Sequence, residues 1–425
     1  MRLKLIQISS KLIKKRNFAI KSFGNSMHPL IQDGDIIHVF RKSPLSIKVD
    51  DVVTYRKRHK LVTHRVIYKS PHKKRPFLIT KGDNNATVDR KVLPENVLGE
   101  VIQVERNGNR FHIESLYLFQ STVYLKEISD FVNYSNNRHV DFIFLKGLPL
   151  HLHYSNTYTR RIFADIDVLI DSAKYNLIEE FFRKRKYKKY NSYIHPWQGF
   201  FKTSPAEISF YKVVNGVKVI FDIHLQPVFL LVQIKSLNFL YSQKLLTQFT
   251  NELLNTKKNI IISNLKLPIL DHNYLIIYQA LHLFHDNYKG YNNYFFLDRL
   301  IRNKQTDFQK ITAISKKMKI ISFIYPVFKT LKKRYKTSIP YQFIQELEQY
   351  SNPFIQITIP NDIFSLQKRV SAGVIRFRNI FLLSPEPLLK RVLIFFRPDI
   401  LFFSIYSLWL FTRQKIKVSF YKADQ

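Results

Sequence analysis

A serine at position 26 stands in the segment GNSMHPLIQDGD (residues 24–35), whose composition suits an exposed nucleophile. A proline follows the serine, and an apolar–polar alternation then runs from Asp35 to Phe40. Because such alternation predicts a β-strand, Ser26 is expected on a turn in front of that strand. The same residues also suit an ordinary turn, since Ser, Pro and Gly dominate turns for backbone reasons. Partner residues further along the chain must decide between the two interpretations.

Four segments downstream supply such partners in a fixed order. They have the composition of strands and read DVVTYR (51–56), LVTHRVI (61–67), FLITKGDNNATVD (77–89) and VLGEVIQVE (97–105). With the serine segment they resemble the catalytic domain of type I signal peptidases, in the endoplasmic-reticulum and archaeal branch. In that branch a histidine in an HRV string replaces the lysine of the common bacterial enzymes. The resemblance covers residues 20–108 and implies an all-β domain that acts as a serine endopeptidase on an extended peptide.

The resemblance and the chemistry of the residues agree on three roles. A serine hydroxyl needs a base to take its proton, and the base needs a third group to orient it. Ser26, His64 and Asp89 can supply these roles, and on the family pattern Asp89 falls on the catalytic acid. Asp83 falls on a position that shapes the site and is the substitute orienter. Backbone N–H groups, that of Ser26 among them, are expected to hold the oxyanion, and Met27 is expected to line the peptide groove. Two groups of residues are expected to be non-catalytic: His28, His38, His59 and His72 as satisfied polar side chains, and Asp33 and Asp35 as turn or structural residues.

A pair of acids lies in a predicted strand further along the chain, RRIFADIDVLID (residues 160–171). Asp165 and Asp167 alternate, so both side chains project from one face of the strand. Asp222 lies in another apolar strand, VKVIFDIHL, where an unpaired buried carboxylate would be unfavourable. Carboxylate oxygens are the protein ligands of Mg²⁺. The three acids therefore predict a site for Mg²⁺ or Mn²⁺.

The strings around these acids carry a second resemblance. LKG (145–147), R-x4-DID-x-L and FDIH are similar to an uncharacterised family of polymerase-β type nucleotidyltransferases, and HLFHDNY (282–288) and FLDRL (296–300) extend the similarity over residues 115–415. The resemblance implies an α/β fold with a helical C-terminal part. It also implies that two of the acids bind both metals and the third completes the site. Nucleoside monophosphate would then pass from a nucleoside triphosphate to an acceptor.

The nucleotide-binding residues implied by this resemblance depart from the superfamily pattern. Gly147 is followed by Leu148 where the superfamily has serine, so a hydroxyl contact to phosphate is missing and Lys146 is expected to supply charge instead. Arg161 could reach the triphosphate, although an arginine before a strand is more often solvated. The two histidines of HLFHDNY could ligate a metal, but helix packing or nucleotide contact is favoured because no third ligand is evident.

Composition sets wider limits. The 425 residues carry a net charge of +37, which favours an anionic partner: nucleotide, nucleic acid or an acidic membrane surface. Part of this charge could instead reflect a Lys- and Asn-rich codon usage. The absence of cysteine excludes disulfides and thiol nucleophiles. The basic segment 1–23 lacks the apolar core of a secretory signal, although it could attach peripherally to a membrane. Val392–Phe411 is interrupted at Arg397, too short to span a membrane, and is interpreted as a buried or interfacial helix.

These observations predict a multidomain cytoplasmic protein, with peripheral membrane contact as an option. A basic segment (1–23) precedes the β-domain (24–110), the α/β domain (111–260) and a helical part (261–425). The expected function is a serine endopeptidase fused to a metal-dependent nucleotidyltransferase, acting together in peptide maturation. One alternative is a degenerate protein that only binds peptide and nucleotide. The other is a nucleic-acid-modifying nucleotidyltransferase with a recruiting β-domain, for which steep salt dependence of RNA binding would be diagnostic.

Overall fold

The computed structural model describes the chain in segments. These are residues 17–70, 76–85, 87–155, 163–190, 206–227, 239–262, 264–302, 306–360, 363, 369–398, 401 and 405. The chain forms a mostly-β N-terminal region and an α+β C-terminal region, as predicted. Its contacts divide it into two compact units, with the main division after Lys126. Among the described residues, no helix combines the length and apolarity needed to cross a membrane.

The first unit is built on a seven-stranded antiparallel sheet. Its strands follow the order β1-β2-β6-β3-β4-β5, and β7 pairs with β6. The bounds are β1 Asn17–Lys21, β2 Ile36–Phe40, β3 Val52–Lys57, β4 Lys60–Lys69, β5 Leu78–Lys81, β6 Val97–Arg106 and β7 Asn109–His112. Each of the four downstream segments predicted as strands contributes one of β3 to β6. Residues 1–23 were expected to precede the β-domain, but β1 lies within them and belongs to the sheet.

Two groups of buried side chains hold this sheet. In the first, Met27 and Ile31 of the serine segment pack with Val39 and Val101 of the strands. The second surrounds Tyr55 of β3. Fully burying a side chain of this kind stabilises the fold by about 1.5–3 kcal/mol. Met27 is 3% exposed, so the expectation that it lines the peptide groove is wrong. Its burial instead anchors the serine segment to the sheet.

The second unit is built on a mixed seven-stranded sheet in the order β10-β11-β12-β9-β8-β14-β13. Its strands are β8 Phe142–Phe144, β9 Ile166–Ile170, β10 Lys188–Tyr190, β11 Glu207–Val214, β12 Val217–His224, β13 Lys257–Ile262 and β14 Leu265–Leu270. Every residue of β9 is buried, and this strand runs parallel to β12 and antiparallel to β8. Near-continuous apolar sequence is typical of a central strand covered on both faces. The parallel pairing sets Asp167 opposite Asp222.

Helices precede, separate and follow the strands of this second sheet along the chain. Their bounds are α1 Ile113–Asn137, α2 Leu148–Ser155, α3 Tyr175–Lys184, α4 Gln243–Asn255, α5 His272–His285, α6 Tyr291–Ile301, α7 Phe308–Lys317, α8 Ile321–Thr330, α9 Tyr341–Gln349, α10 Ile355–Thr358, α11 Arg369–Leu383 and α12 Leu388–Val392. The expected boundary at 110/111 lies just before α1, whereas the contacts divide the chain within that helix. The expected boundary at 260/261 falls inside β13, because the sheet continues to Leu270.

Candidate functional sites

The segment that carries Ser26 is closed by polar contacts at both ends. Gly24 N–H donates to Asp33 Oδ1 at 2.6 Å, and Ser22 N–H donates to the Asp35 carbonyl at 2.7 Å. The buried Asp35 side chain accepts from Arg106 Nε and Nη2 at 2.9 and 2.8 Å. Buried carboxylates need such partners. The two acids therefore have the structural roles expected of them.

The turn after β5 holds the backbone at Ser26 by hydrogen bonds. Asn84 N–H donates to the Ser26 carbonyl at 2.8 Å, and its side chain donates to the Asn25 carbonyl at 3.1 Å. A Cβ at Gly82 would lie 2.5 Å from the Ser26 carbonyl oxygen, which is too close for any residue that has a side chain. Glycine is therefore required for this approach of two backbone segments. The Ser26 N–H has no acceptor among the described residues and remains a candidate oxyanion donor.

His64 lies between Ser26 and Asp89. It sits on β4, is 7% exposed, and its Nε2 is 3.0 Å from Ser26 Oγ. Its Nδ1 is 2.5 Å from Asp89 Oδ2. With Asp89 ionised, Nδ1 carries the proton and Nε2 presents its lone pair to the serine hydroxyl. The three side chains thus have the connectivity of a nucleophile, a base and an orienting acid.

The surroundings of Asp89 keep its carboxylate charged. Burial opposes ionisation, but hydrogen bonds from His64, Lys57 and Thr80 hold the pKa of Asp89 well below its usual range. Lys57 Nζ donates to Oδ1 at 2.9 Å and Thr80 Oγ1 to Oδ2 at 3.0 Å. An ionised, hydrogen-bonded acid fixes both the tautomer and the orientation of the histidine.

Asp83 has a different partner. Arg65 donates to it through Nε and Nη2 at 2.7 and 2.6 Å, in a bidentate pair. Arg65 is 2% exposed and also donates to the Asp50 carbonyl and to Tyr117. The geometry therefore gives the orienting position to Asp89, and Asp83 instead fixes the turn that supports Ser26. This departs from the expectation that Asp83 could substitute as the orienter.

The three acids of the second unit converge as the sequence predicts. Asp165 immediately precedes β9, and one ligand oxygen from each of Asp165, Asp167 and Asp222 lies within 4.8 Å of the others. Asp167 Oδ2 and Asp222 Oδ1 are buried and have no hydrogen-bond partner among the residues that the structure describes. Unpartnered buried carboxylate oxygens are unfavourable unless a cation satisfies them. The donor set, its spacing and these two oxygens fit a divalent metal such as Mg²⁺.

Mutual repulsion separates the acidities of the three groups. Burial and the neighbouring Asp167 raise the pKa of Asp165, and burial with Asp167 and Glu207 raises the pKa of Asp222 to about 7. Burial opposes ionisation of Asp167 as well, but Lys146 and His224 lower its pKa to about 2. Near neutral pH, the Asp167 carboxylate therefore carries the firm negative charge and the other two retain protons more readily.

Lys146 neutralises this charge. Its Nζ lies 3.1 Å from Asp167 Oδ1 and 3.1 Å from His282 Nε2. Lys146 therefore lies beside the acid cluster, and its expected contact with a phosphate stays a prediction. Gly147 has a φ of +88°, and Leu148 opens α2 with a fully buried side chain. Leu148 therefore packs in the core. The predicted nucleotide contact Arg161 lies outside the described residues.

Two further polar side chains at this site, His224 and Asp286, were not predicted from the sequence. His224, 3% exposed, has Nε2 3.0 Å from Asp167 Oδ1. Asp286 caps α5 and has Oδ2 3.3 Å from His282 Nδ1. The signals were present in FDIH and HLFHDNY. His224 lies on the same strand as Asp222, and only the fold shows that its ring contacts Asp167 of the neighbouring strand.

Comparison with known proteins gives two matches. A family model described as uncharacterised nucleotidyltransferase matches residues 115–336, a span that contains all three acids. The signal peptidase complex catalytic subunit SEC11 of Clavispora lusitaniae is 42% identical over 66 residues, which are 15% of this chain. The matched region covers 39% of the length of that protein. No solved structure matches the chain.

Proposed function

The chain belongs to the uncharacterised nucleotidyltransferase family, and from that premise we propose that its second unit transfers a nucleoside monophosphate from a nucleoside triphosphate to an acceptor. The convergence of Asp165, Asp167 and Asp222 carries the proposal. These acids would hold Mg²⁺ or Mn²⁺, which when bound stabilises charge on the attacking and leaving oxygens. His224 keeps Asp167 in place, and Lys146 adds positive charge beside it.

Metal-dependent nucleotide binding tests this proposal first. The full chain is titrated calorimetrically with each common nucleoside triphosphate, with Mg²⁺ and with EDTA, and label transfer from α-labelled nucleotide to peptide or RNA acceptors is then measured. Asp165→Asn should abolish binding, whereas Asp141→Asn, which changes a 66% exposed carboxylate, should not. Binding without transfer would favour a nucleotide-binding descendant. Absence of metal-dependent binding in the wild type would refute both versions.

The first unit supports a second function, a serine endopeptidase that cleaves an extended peptide. The carrying observation is the hydrogen-bonded series Ser26, His64 and Asp89. His64 Nε2 would take the Ser26 proton as Oγ attacks the scissile carbonyl, and would return it to the leaving amine. Asp89 would stabilise the imidazolium formed between these steps. The short match to a signal peptidase subunit agrees with this chemistry.

Matched variants test the endopeptidase separately. Peptide libraries are incubated with the wild type and new termini are identified by mass spectrometry. Ser26→Ala and His64→Ala should each abolish cleavage, whereas Ser22→Ala and His59→Ala should not. Ser22 lies shortly before the serine segment, and His59 is exposed in the β3–β4 turn. Cleavage that survives Ser26→Ala would reject the assignment. If both activities are found, one peptide that is trimmed and then modified is the simplest shared substrate.

A further inference from the structure

Helix α12 has an inverted distribution of polar and apolar side chains. In α12 and the 3₁₀ turn that follows it, Leu393–Phe396, the buried positions are Arg391 and Ile394. Leu389 is 80% exposed and Phe396 is 79% exposed. The remaining apolar members are also exposed, and they are Leu388, Val392, Leu393 and Phe395. We call these six exposed side chains the apolar ridge.

A soluble helix normally buries its apolar face and exposes its polar one. Here most apolar side chains of nine consecutive residues (388–396) face solvent. Large contiguous apolar patches on a protein surface mark contact with a membrane or another protein. The ridge therefore requires an occupant with apolar character.

A cavity beside the ridge indicates which occupant is favoured. It has a volume of about 580 Å³, and its lining includes Lys316, Lys319, Asn352, Glu386 and Arg391. The one acid among these residues is already paired, because Lys390 Nζ lies 2.7 Å from Glu386 Oε2. Net positive charge therefore remains in the cavity.

Two cations of the cavity are available to an anion. Arg391 is 8% exposed and donates through Nη1 to the carbonyls of Phe381 and Leu382. Its Nε is buried and has no partner among the described residues. Lys319 is exposed and forms no ion pair within the described part of the chain. Guanidinium and ammonium groups in this arrangement suit a phosphate group.

We propose that the ridge and the cavity together dock this chain on a membrane surface that contains anionic phospholipid. The ridge enters the boundary between headgroups and acyl chains, and the cavity receives a headgroup phosphate. Arg391 joins the two features, since it belongs to α12 and also lines the cavity. An apolar face flanked by cations is the pattern of interfacial binding. The chain charge of +37 adds long-range attraction to an anionic surface.

Vesicle binding by the full chain tests this proposal. Vesicles of phosphatidylcholine alone and vesicles that also contain phosphatidylglycerol are sedimented with the protein, and the bound fraction is measured. Binding should require phosphatidylglycerol and should weaken as salt is raised. Leu389→Glu and Phe396→Glu should each weaken it about tenfold or more, because each replaces an inserted apolar side chain with a charged one. Lys319→Glu should weaken binding to the vesicles that contain phosphatidylglycerol.

Controls distinguish the ridge from general hydrophobicity or charge. Ile261→Glu alters an equally exposed apolar residue on β13 and should leave vesicle binding unchanged. Glycerophosphate competes for a site that binds phosphate. If it displaced the protein from vesicles and the ridge variants bound normally, the cavity alone would account for vesicle binding. That result would overturn the proposal. So would concentration-dependent self-association that Leu389→Glu abolishes while vesicle binding stays absent, because the ridge would then bind a second copy.

Discussion

Replacing Asp222 by asparagine should stabilise the metal-free protein, and the gain should grow with pH. Burial, Asp167 and Glu207 raise the pKa of Asp222 from 3.8 to about 7. Below about pH 4 the carboxyl is protonated in both folded and unfolded states, so it imposes no penalty. As pH rises the unfolded chain ionises first, and the penalty is complete once pH passes about 7. A shift of this size corresponds to about 4 kcal/mol of unfolding free energy.

Melting curves in EDTA between about pH 5 and about pH 8 provide the assay, since the penalty should increase by about 3 kcal/mol across that interval. Each kcal/mol moves the melting temperature of a domain this large by roughly 2–4 °C, so the variant should gain several degrees on the wild type. Asp141→Asn, which changes an exposed acid in a surface ion pair, should show no such trend. Mg²⁺ should reverse the order by stabilising only the wild type. A gain that is constant with pH, or largest in acid, would refute the burial and charge repulsion that raise the pKa of Asp222.

Three other measurements follow from the same contacts. Asp89→Asn should reduce the rate of peptide cleavage roughly 10⁴-fold with unchanged circular dichroism, because the histidine loses its tautomer control, whereas a stronger effect of Asp83→Asn would redraw the site. Mg²⁺ affinity should rise with pH up to about 7, where Asp222 has lost its proton, and calorimetry in buffers of different ionisation enthalpy should detect proton release on binding. Lys146→Gln should cost about 3 kcal/mol of metal-free stability by leaving a buried carboxylate without its cation, and Mg²⁺ should restore most of it, with Lys258→Gln as the exposed control.

The β unit could be predicted largely from sequence because strand period and segment order constrain it. The alternation places every second side chain on one face, and the resemblance to signal peptidases implied that His64 of β4 is the partner of Ser26. The choice between Asp83 and Asp89 could not be made in this way. Both acids follow β5 closely, and only the buried Arg65 decides which of them is already paired. Arg65 follows His64 directly in the sequence, but its side chain binds Asp83, whereas His64 binds Asp89.

The acid cluster was predictable for a similar reason. Asp165 and Asp167 share a face by the strand period, and parallel pairing of β9 with β12 brings Asp222 opposite Asp167. The positions of Lys146 and Met27 were not predictable. A residue at a strand end or in a turn can direct its side chain several ways, and tertiary packing selects among them. Exposure of the apolar ridge was only one of the alternatives left open by the sequence, because the apolar run Val392–Phe411 suits a buried helix as well as an interfacial one.

Leu148 determines how the nucleotide could be held. Its side chain is fully buried, so replacing it with serine would lose core packing worth roughly 2–5 kcal/mol, by analogy with other buried truncations. The hydroxyl of the superfamily pattern is therefore incompatible with this core as it is packed. Lys146, one residue before the Gly147 turn, is the nearest cation, and its ammonium now neutralises Asp167. If the three acids held a divalent cation, Asp167 would no longer need that ammonium, and Lys146 would become available to a phosphate. Metal and nucleotide should then bind with positive coupling, which would be lost in Lys146→Gln even where the metal affinity itself is retained.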